Sequence, residues 1–220
     1  MAKVIIFGLQ DSASLALFYL KHDSPHQVVA FSVTKEYLPG NALFEGLPVV
    51  PFEDVEKSFP PSEYAFFAPM SYRKMNRDRA TVYENIKSKG YKLISYISAK
   101  TAVYPGTGIG DNCFILENNN IQPFSSIGNN VVLWGGSQIS HHCAIKDHVF
   151  IASHVVVSGH CVVDRFSFLG LNSSVREGLH IGEGSLIAMS ASVVKDTEPW
   201  GIYMGVPARK IAGSSNDFEV

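Results

Sequence analysis

The chain has 220 residues, 46% hydrophobic and 17% charged, with a formal net charge of −2. This is the composition of one large or two small globular domains, and the lack of any basic run argues against nucleic acid as a partner. No stretch approaches the roughly eighteen apolar residues of a membrane span, and MAKVIIFGLQD holds too short an apolar run for a signal peptide.

The spacing predicts KVIIFG as a buried strand ending in a glycine turn. SASLALFYLKHD, with Leu15, Phe18 and Tyr19 at helical spacing, predicts a helix. QVVAFSV and YAFFAPM read as strands, NRDRATVYENIKSKG as a helix stopping at Gly90, and KLISYIS as a fourth strand. Strands alternating with helices imply a Rossmann-like α/β parallel sheet over residues 1–98. Gly8 then stands where such folds bring a phosphate to a helix N-terminus. The loop GLQDSA lacks the second glycine of GxGxxG, so a plain strand-to-helix turn is the alternative.

After Lys100 the pattern changes. From Val103 the chain reads as sixteen uninterrupted hexads, VYPGTG, IGDNCF, ILENNN and onward to VVKDTE, every one opening on Ile, Leu or Val. The fifth place is mostly Ser, Cys, Thr, Asn, Ala or Val. A period of six with aliphatic and small inward positions predicts a hexapeptide β-helix over residues 99–220, with three hexads per triangular coil. At about 4.8 Å per rung the prism is roughly 25 Å tall. The three cysteines have no CxxC spacing and read as reduced thiols. Cys143 and Cys161, eighteen apart in the fifth place, are expected as stacked core fillers.

Five of the eight histidines fall between Ser137 and His160. His142, His148, His154 and His160 take the fourth place of successive hexads, on outward corners, where only His142 and His160 share a corner. That array offers no zinc site within one chain, since such a site needs three or four ligands; a metal shared between subunits at a trimer interface is the alternative, and no metal is expected. His141 stands in the third place, and eighteen residues on is Gly159. An imidazole stacked beside a bare backbone amide suits acyl transfer, the first as general base and the second as oxyanion donor. A solvated corner histidine beside a turn glycine is the alternative.

The order of an α/β domain, a hexapeptide helix containing SHHCAIKDHVFIASHVVVSGH, then FLGLNSSVREGLHIGEGSLI and a closing GIYMGVPARKI resembles a known family. These are the sugar acyltransferases grouped with the sialic acid O-acetyltransferases and the bacterial N-acetyltransferases of nucleotide-linked amino sugars. The resemblance implies a left-handed helix, a homotrimer, acetyl-CoA in the groove between neighbouring helices, and a nucleotide sugar held by the N-terminal domain; the cysteines, read as reduced thiols, make a cytoplasmic location the expectation. It implies His141 as catalytic base and the Gly159 amide on the thioester carbonyl.

Two departures stand out. Many members follow the base with Glu or Asp, where this chain has His142, so an orienting carboxylate must come from Asp147 or a neighbouring subunit, or be absent. Many also carry a histidine in the first glycine-rich loop, where this chain has Ser12. For the nucleotide sugar the candidates are Gly8, Ser12, Thr34, Ser71 and Lys74, all following strands, with Trp134 either walling the sugar pocket or capping the trimer seam. For acetyl-CoA they are the outward backbone at Leu171 and Met189, and Arg209 in GVPARKI, which can pair with phosphate.

The resemblance makes N-acetylation of a nucleotide-linked 4-amino-4,6-dideoxyhexose, for bacterial surface glycans such as lipopolysaccharide, the expected reaction. Sugar O-acetylation and a non-catalytic nucleotide-sugar-binding scaffold are the alternatives. A metalloenzyme resembling the γ-class carbonic anhydrases is a further rival.

Overall fold

The structure is a computed structural model describing residues 1–218. The chain divides into two compact units: Met1–Ser71 with Thr81–Tyr96, and Tyr72–Ala80 with the residues from Ile97 onward.

In the first unit β1 (Lys3–Phe7), β2 (Gln27–Val33), β3 (Leu43–Phe44), β4 (Leu47–Pro51), β5 (Tyr64–Phe67) and β6 (Lys92–Leu93) form one sheet in the order β3-β4-β2-β1-β5-β6. All pairings are parallel except β3 with β4. Helix α1 (Asp11–His22) follows β1, and α2 (Val55–Ser58) follows β4. Helix α3 (Arg77–Ser88) gives its first turn to the second unit. Ile5, Phe31, Phe66 and Phe67 are fully buried in the sheet.

Between the predicted second and third strands lies a hairpin that periodicity does not reveal. Glu45 and Gly46, at φ 49° and 76°, form its two-residue loop, the left-handed turn that matches strand twist. The third strand stops at Phe67. KLISYIS breaks into β6 and a two-residue strand β7 (Tyr96–Ile97), where the division between the units falls.

Among the described residues of the second unit, sixteen two-residue strands recur every six residues, from β8 (Ala102–Val103) to β23 (Ser192–Val193), each ending on the first residue of a hexad. From β8 to β20 each pairs in parallel with the strand eighteen residues on, as in Phe114↔Val132, Val132↔Phe150 and Phe150↔Phe168. Three ladders result, wound as a left-handed parallel β-helix. Ile115, Ile121, Leu133, Ile139 and Ile151 are fully buried on its axis, and their successors to Val193 are buried there too, each contributing about 1.5–3 kcal/mol. Strands β24 (Ile202–Met204) and β25 (Arg209–Lys210) close the end as an antiparallel pair.

The fifth place is restricted by hydrogen bonding as well as by size. Ser125 Oγ donates to Ser140 O at 2.7 Å, Ser137 Oγ to Ala152 O at 3.0 Å, and the Cys143 and Cys161 thiols to Ser158 O and Arg176 O at 3.1 Å. All three cysteines are buried and reduced, and the neighbouring Cys161 thiol, then burial, hold Cys143 well above the usual thiol pKa.

The fourth place has left-handed backbone throughout the middle of the helix. Asn112, Asn118, Phe124, Asn130, His142, His148, His154, His160, Phe166 and Asn172 all have φ between 53° and 65°. Asn and His are among the non-glycine residues most tolerant of that region. The six-residue histidine period is therefore a backbone requirement of the corners.

On one corner this row is a hydrogen-bonded ladder. Asn112 Nδ2 donates to Asn130 Oδ1 at 2.8 Å, and Asn130 Nδ2 to His148 Nδ1 at 2.9 Å. Burial, then the nearby Arg79 charge, push the His148 pKa down to about 4. Because the unfolded chain protonates His148 near pH 6.5 while the folded chain does not, the unfolded state binds more protons between those values. Stability should fall as pH drops from about 6.5 toward 4. His148→Asn, which extends the Asn ladder, should flatten that dependence, read as urea midpoints across pH.

Segment Tyr72–Ala80 packs within the second unit. Lys74, Met75 and Asn76 are all left-handed, at φ 49°, 51° and 67°. Asn76 Nδ2 donates to Phe166 O at 3.0 Å, and Arg79, 1% exposed, donates to Asn130 O, His148 O, Val149 O and Asn76 Oδ1 at 3.0–3.3 Å.

Candidate active site

The third-place residues that follow the β11, β14, β17 and β20 ladder form a column containing His141 and Gly159. Their contact is direct: a Cβ built on Gly159 would lie 2.7 Å from His141 Cε1 and 3.1 Å from both ring nitrogens. Only a glycine lets the imidazole lie flat against this backbone. The chain itself binds the two levels together, His160 N donating to His141 O at 3.0 Å.

Three third-place amides elsewhere in the helix are capped by side chains. Asn129 N donates to Asp147 Oδ1 at 2.6 Å, Asp111 N to Asn129 Oδ1 at 3.0 Å, and His141 N to Gln122 Oε1 at 3.0 Å. Among the described residues the Gly159 N–H has no acceptor, while its carbonyl takes Gly178 N at 2.9 Å. An uncommitted donor thus adjoins an exposed imidazole, an arrangement able to accept a proton and stabilise an oxyanion within one small space.

Sequence left the orientation of His141 open, and the structure supplies His142. Their Nδ1 atoms are 3.1 Å apart. One must carry the hydrogen; with His141 as donor, its Nε2 is left as the acceptor. Asp147 is engaged elsewhere, on Asn129. The His142 ring is itself sandwiched, tilted on Phe124 at 4.8 Å and stacked on His160 at 4.8 Å between centroids. Counting only the fourth-place histidines gave no three-ligand group. With His141 included, His141, His142 and His160 bring three imidazoles together in one chain, a correction that follows from third and fourth places sharing a corner.

The other sequence candidates separate by location. In the first unit Gly8, at φ 107°, and Thr34 end adjacent parallel strands, Gly8 N donating to Ser32 O at 2.9 Å, and Ser12 lies in the first turn of α1. Ser71 follows β5 in the same unit, whereas Lys74 belongs to the second and lies 3.8 Å from Asp78. Half-buried Trp134 follows β13 (Val132–Leu133), one corner before His141. Leu171 and Met189, 45% and 66% exposed, stack on a different corner. Arg209 is exposed on β25.

Gly159→Ala tests the contact. Because the position is outside the left-handed region, the backbone accepts Ala, and the exposed ring must move instead. Thermal stability should stay close to the parent's, while turnover in the reaction proposed below falls about 10²-fold, the cost of an ångström-scale misplacement.

Residues 106–141 and 124–159 match the bacterial transferase hexapeptide (six repeats) family. A 53-residue stretch is 36% identical to a probable macrolide acetyltransferase of Lysinibacillus sphaericus, covering 24% of this chain and 29% of that protein, so the match spans under a third of the curated relative. Among solved structures, the chain is similar to a variant of perosamine N-acetyltransferase from Caulobacter crescentus in complex with CoA and GDP-perosamine. The TM-score is 0.85 and the identity 20%, covering 97% of this chain and 98% of that one. It is also similar to the acetyltransferase domain of PglB from Neisseria gonorrhoeae FA1090 (TM-score 0.81, 20% identity, 96% and 100% covered). WeeI from Acinetobacter baumannii AYE gives a TM-score of 0.71 at 19% identity, with 96% and 100% covered. At these identities the likeness establishes a shared fold.

Proposed function

We propose, for a chain whose central coils are bacterial transferase hexapeptide repeats, an acetyl-CoA-dependent N-acetyltransferase acting on a nucleotide-linked amino-deoxysugar. The observation that carries the reading is the His141 imidazole lying against the Gly159 backbone with the amide uncommitted. The structural relatives support it, since the chain shares nearly its whole fold with a perosamine N-acetyltransferase variant whose structure is in complex with CoA and GDP-perosamine.

The sugar amine attacks the thioester carbonyl of acetyl-CoA directly. His141 takes the amine proton, the Gly159 N–H donates to the developing oxyanion, and CoA leaves as the thiol when the tetrahedral intermediate collapses. No covalent enzyme intermediate is invoked, because the three cysteines are buried. His142 holds the His141 tautomer through the 3.1 Å Nδ1 contact. In this reading acetyl-CoA runs along the helix toward Leu171, Met189 and Arg209, in a homotrimer that supplies neighbouring helices. Gly8, Ser12, Thr34 and Ser71 are the candidates for the nucleotide and Lys74 for its phosphate, with Trp134 the candidate for the sugar. The work is cytoplasmic, supplying surface glycans.

A panel of UDP-, dTDP- and GDP-linked 4-amino-6-deoxysugars with acetyl-CoA, followed by release of free thiol, tests the proposal. Thiol release should require the amine; the matching hydroxy sugar should be inert. Release with hydroxy sugars alone would reassign the reaction to O-acetylation. Absence of release, together with no thermal shift on adding acetyl-CoA, would leave a sugar-binding scaffold.

A further inference from the structure

The three imidazoles beside Gly159 make a group that the acyl-transfer chemistry does not need in full. The nitrogens offered by His141, His142 and His160 all lie within 4.8 Å of one another, and all three residues are exposed. Nitrogens at 2.0–2.1 Å around a tetrahedral metal stand about 3.3 Å apart, and the His141–His142 pair is already at 3.1 Å. His160 lies one rung above, its ring stacked on His142 with 16° between planes. A metal must lie in the plane of each ring it binds, so His160 has to swing off the stack. Among the described residues no hydrogen bond holds its ring, and solvent gives it room to turn.

We propose that this corner reversibly binds one Zn²⁺ per chain through His141, His142 and His160, with an outward position left to water. Three neutral imidazoles suit a borderline ion of this kind and not Mg²⁺ or Ca²⁺, which prefer oxygen. The Nδ1–Nδ1 contact favours it further, because a metal replaces the single proton that two facing lone pairs must otherwise share. Resting on the acyl-transfer reading, one consequence follows: His141 cannot take a proton while its lone pair is on the ion, so Zn²⁺ is a reversible inhibitor.

The test is a calorimetric titration of ZnCl₂ into the chelator-treated full chain. Saturable binding of one ion per chain is expected. His160→Asn, which suits the left-handed backbone, should weaken binding on the order of tenfold or more and leave thermal stability unchanged. His154→Asn, on another corner, should leave binding as it is. Relief of Zn²⁺ inhibition by His160→Asn would complete the case. Absence of saturable binding, or binding that His160→Asn leaves intact, overturns the site. Because binding is read without any acyl acceptor, its failure is separable from failure of the acyltransferase reading.

Discussion

His141→Ala is expected to lower turnover by about 10²–10⁴-fold while leaving the folded state intact. The side chain is exposed, and among the described residues its ring lies against His142, His160 and the Gly159 backbone. Its main-chain bonds, from His141 N to Gln122 and from His160 N to its carbonyl, survive truncation. Loss of a proton acceptor without loss of structure is therefore the signature. It is measured as kcat with the preferred acceptor beside the thermal midpoint. Unchanged turnover would remove His141 from the chemistry; a large drop in midpoint would mean the residue is structural after all.

The second large effect concerns stability. Arg79→Met should cost about 3–5 kcal/mol, the scale of breaking a buried charge-assisted network. The guanidinium is 1% exposed and reaches backbone carbonyls of two neighbouring coils as well as the Asn76 amide. Methionine fills much of the volume and supplies no donor. Removing the cation also leaves the left-handed run at Lys74–Asn76 without one of its ties. Urea unfolding of the full chain measures the loss; a variant as stable as the parent would show that the network merely offsets its own desolvation.

Much of this was legible in the residues because the β-helix is built from a short, strict repeat. Sixteen aliphatic openings without insertion fixed strand positions and pairing partners, and with them the juxtaposition of His141 and Gly159. What the repeat hid was the reason for its own decoration. The fourth-place histidines answer a demand for positive φ, which Asn112, Asn118, Asn130 and Asn172 meet in the same column positions. An alternation of Asn, Gly and His at every sixth residue was the available signal. His142 as the partner of His141 was harder to see, since side-chain direction at a left-handed corner is not given by spacing. Arg79 was invisible: it sits in a charged stretch that reads as a solvated helix, and its burial depends on contacts 51 and 69 residues away.

Ladder partners eighteen residues apart make chain length along the prism a quantised variable. An insertion or loss of one whole circuit changes only the height. Loss of a single hexad instead rotates everything downstream by one edge. Deleting residues 145–150, for instance, would carry Arg165 into the slot over His141 and put a long cation where a bare amide stood. Evolution of such a protein can lengthen or shorten it freely in full turns, and is barred from doing so in thirds.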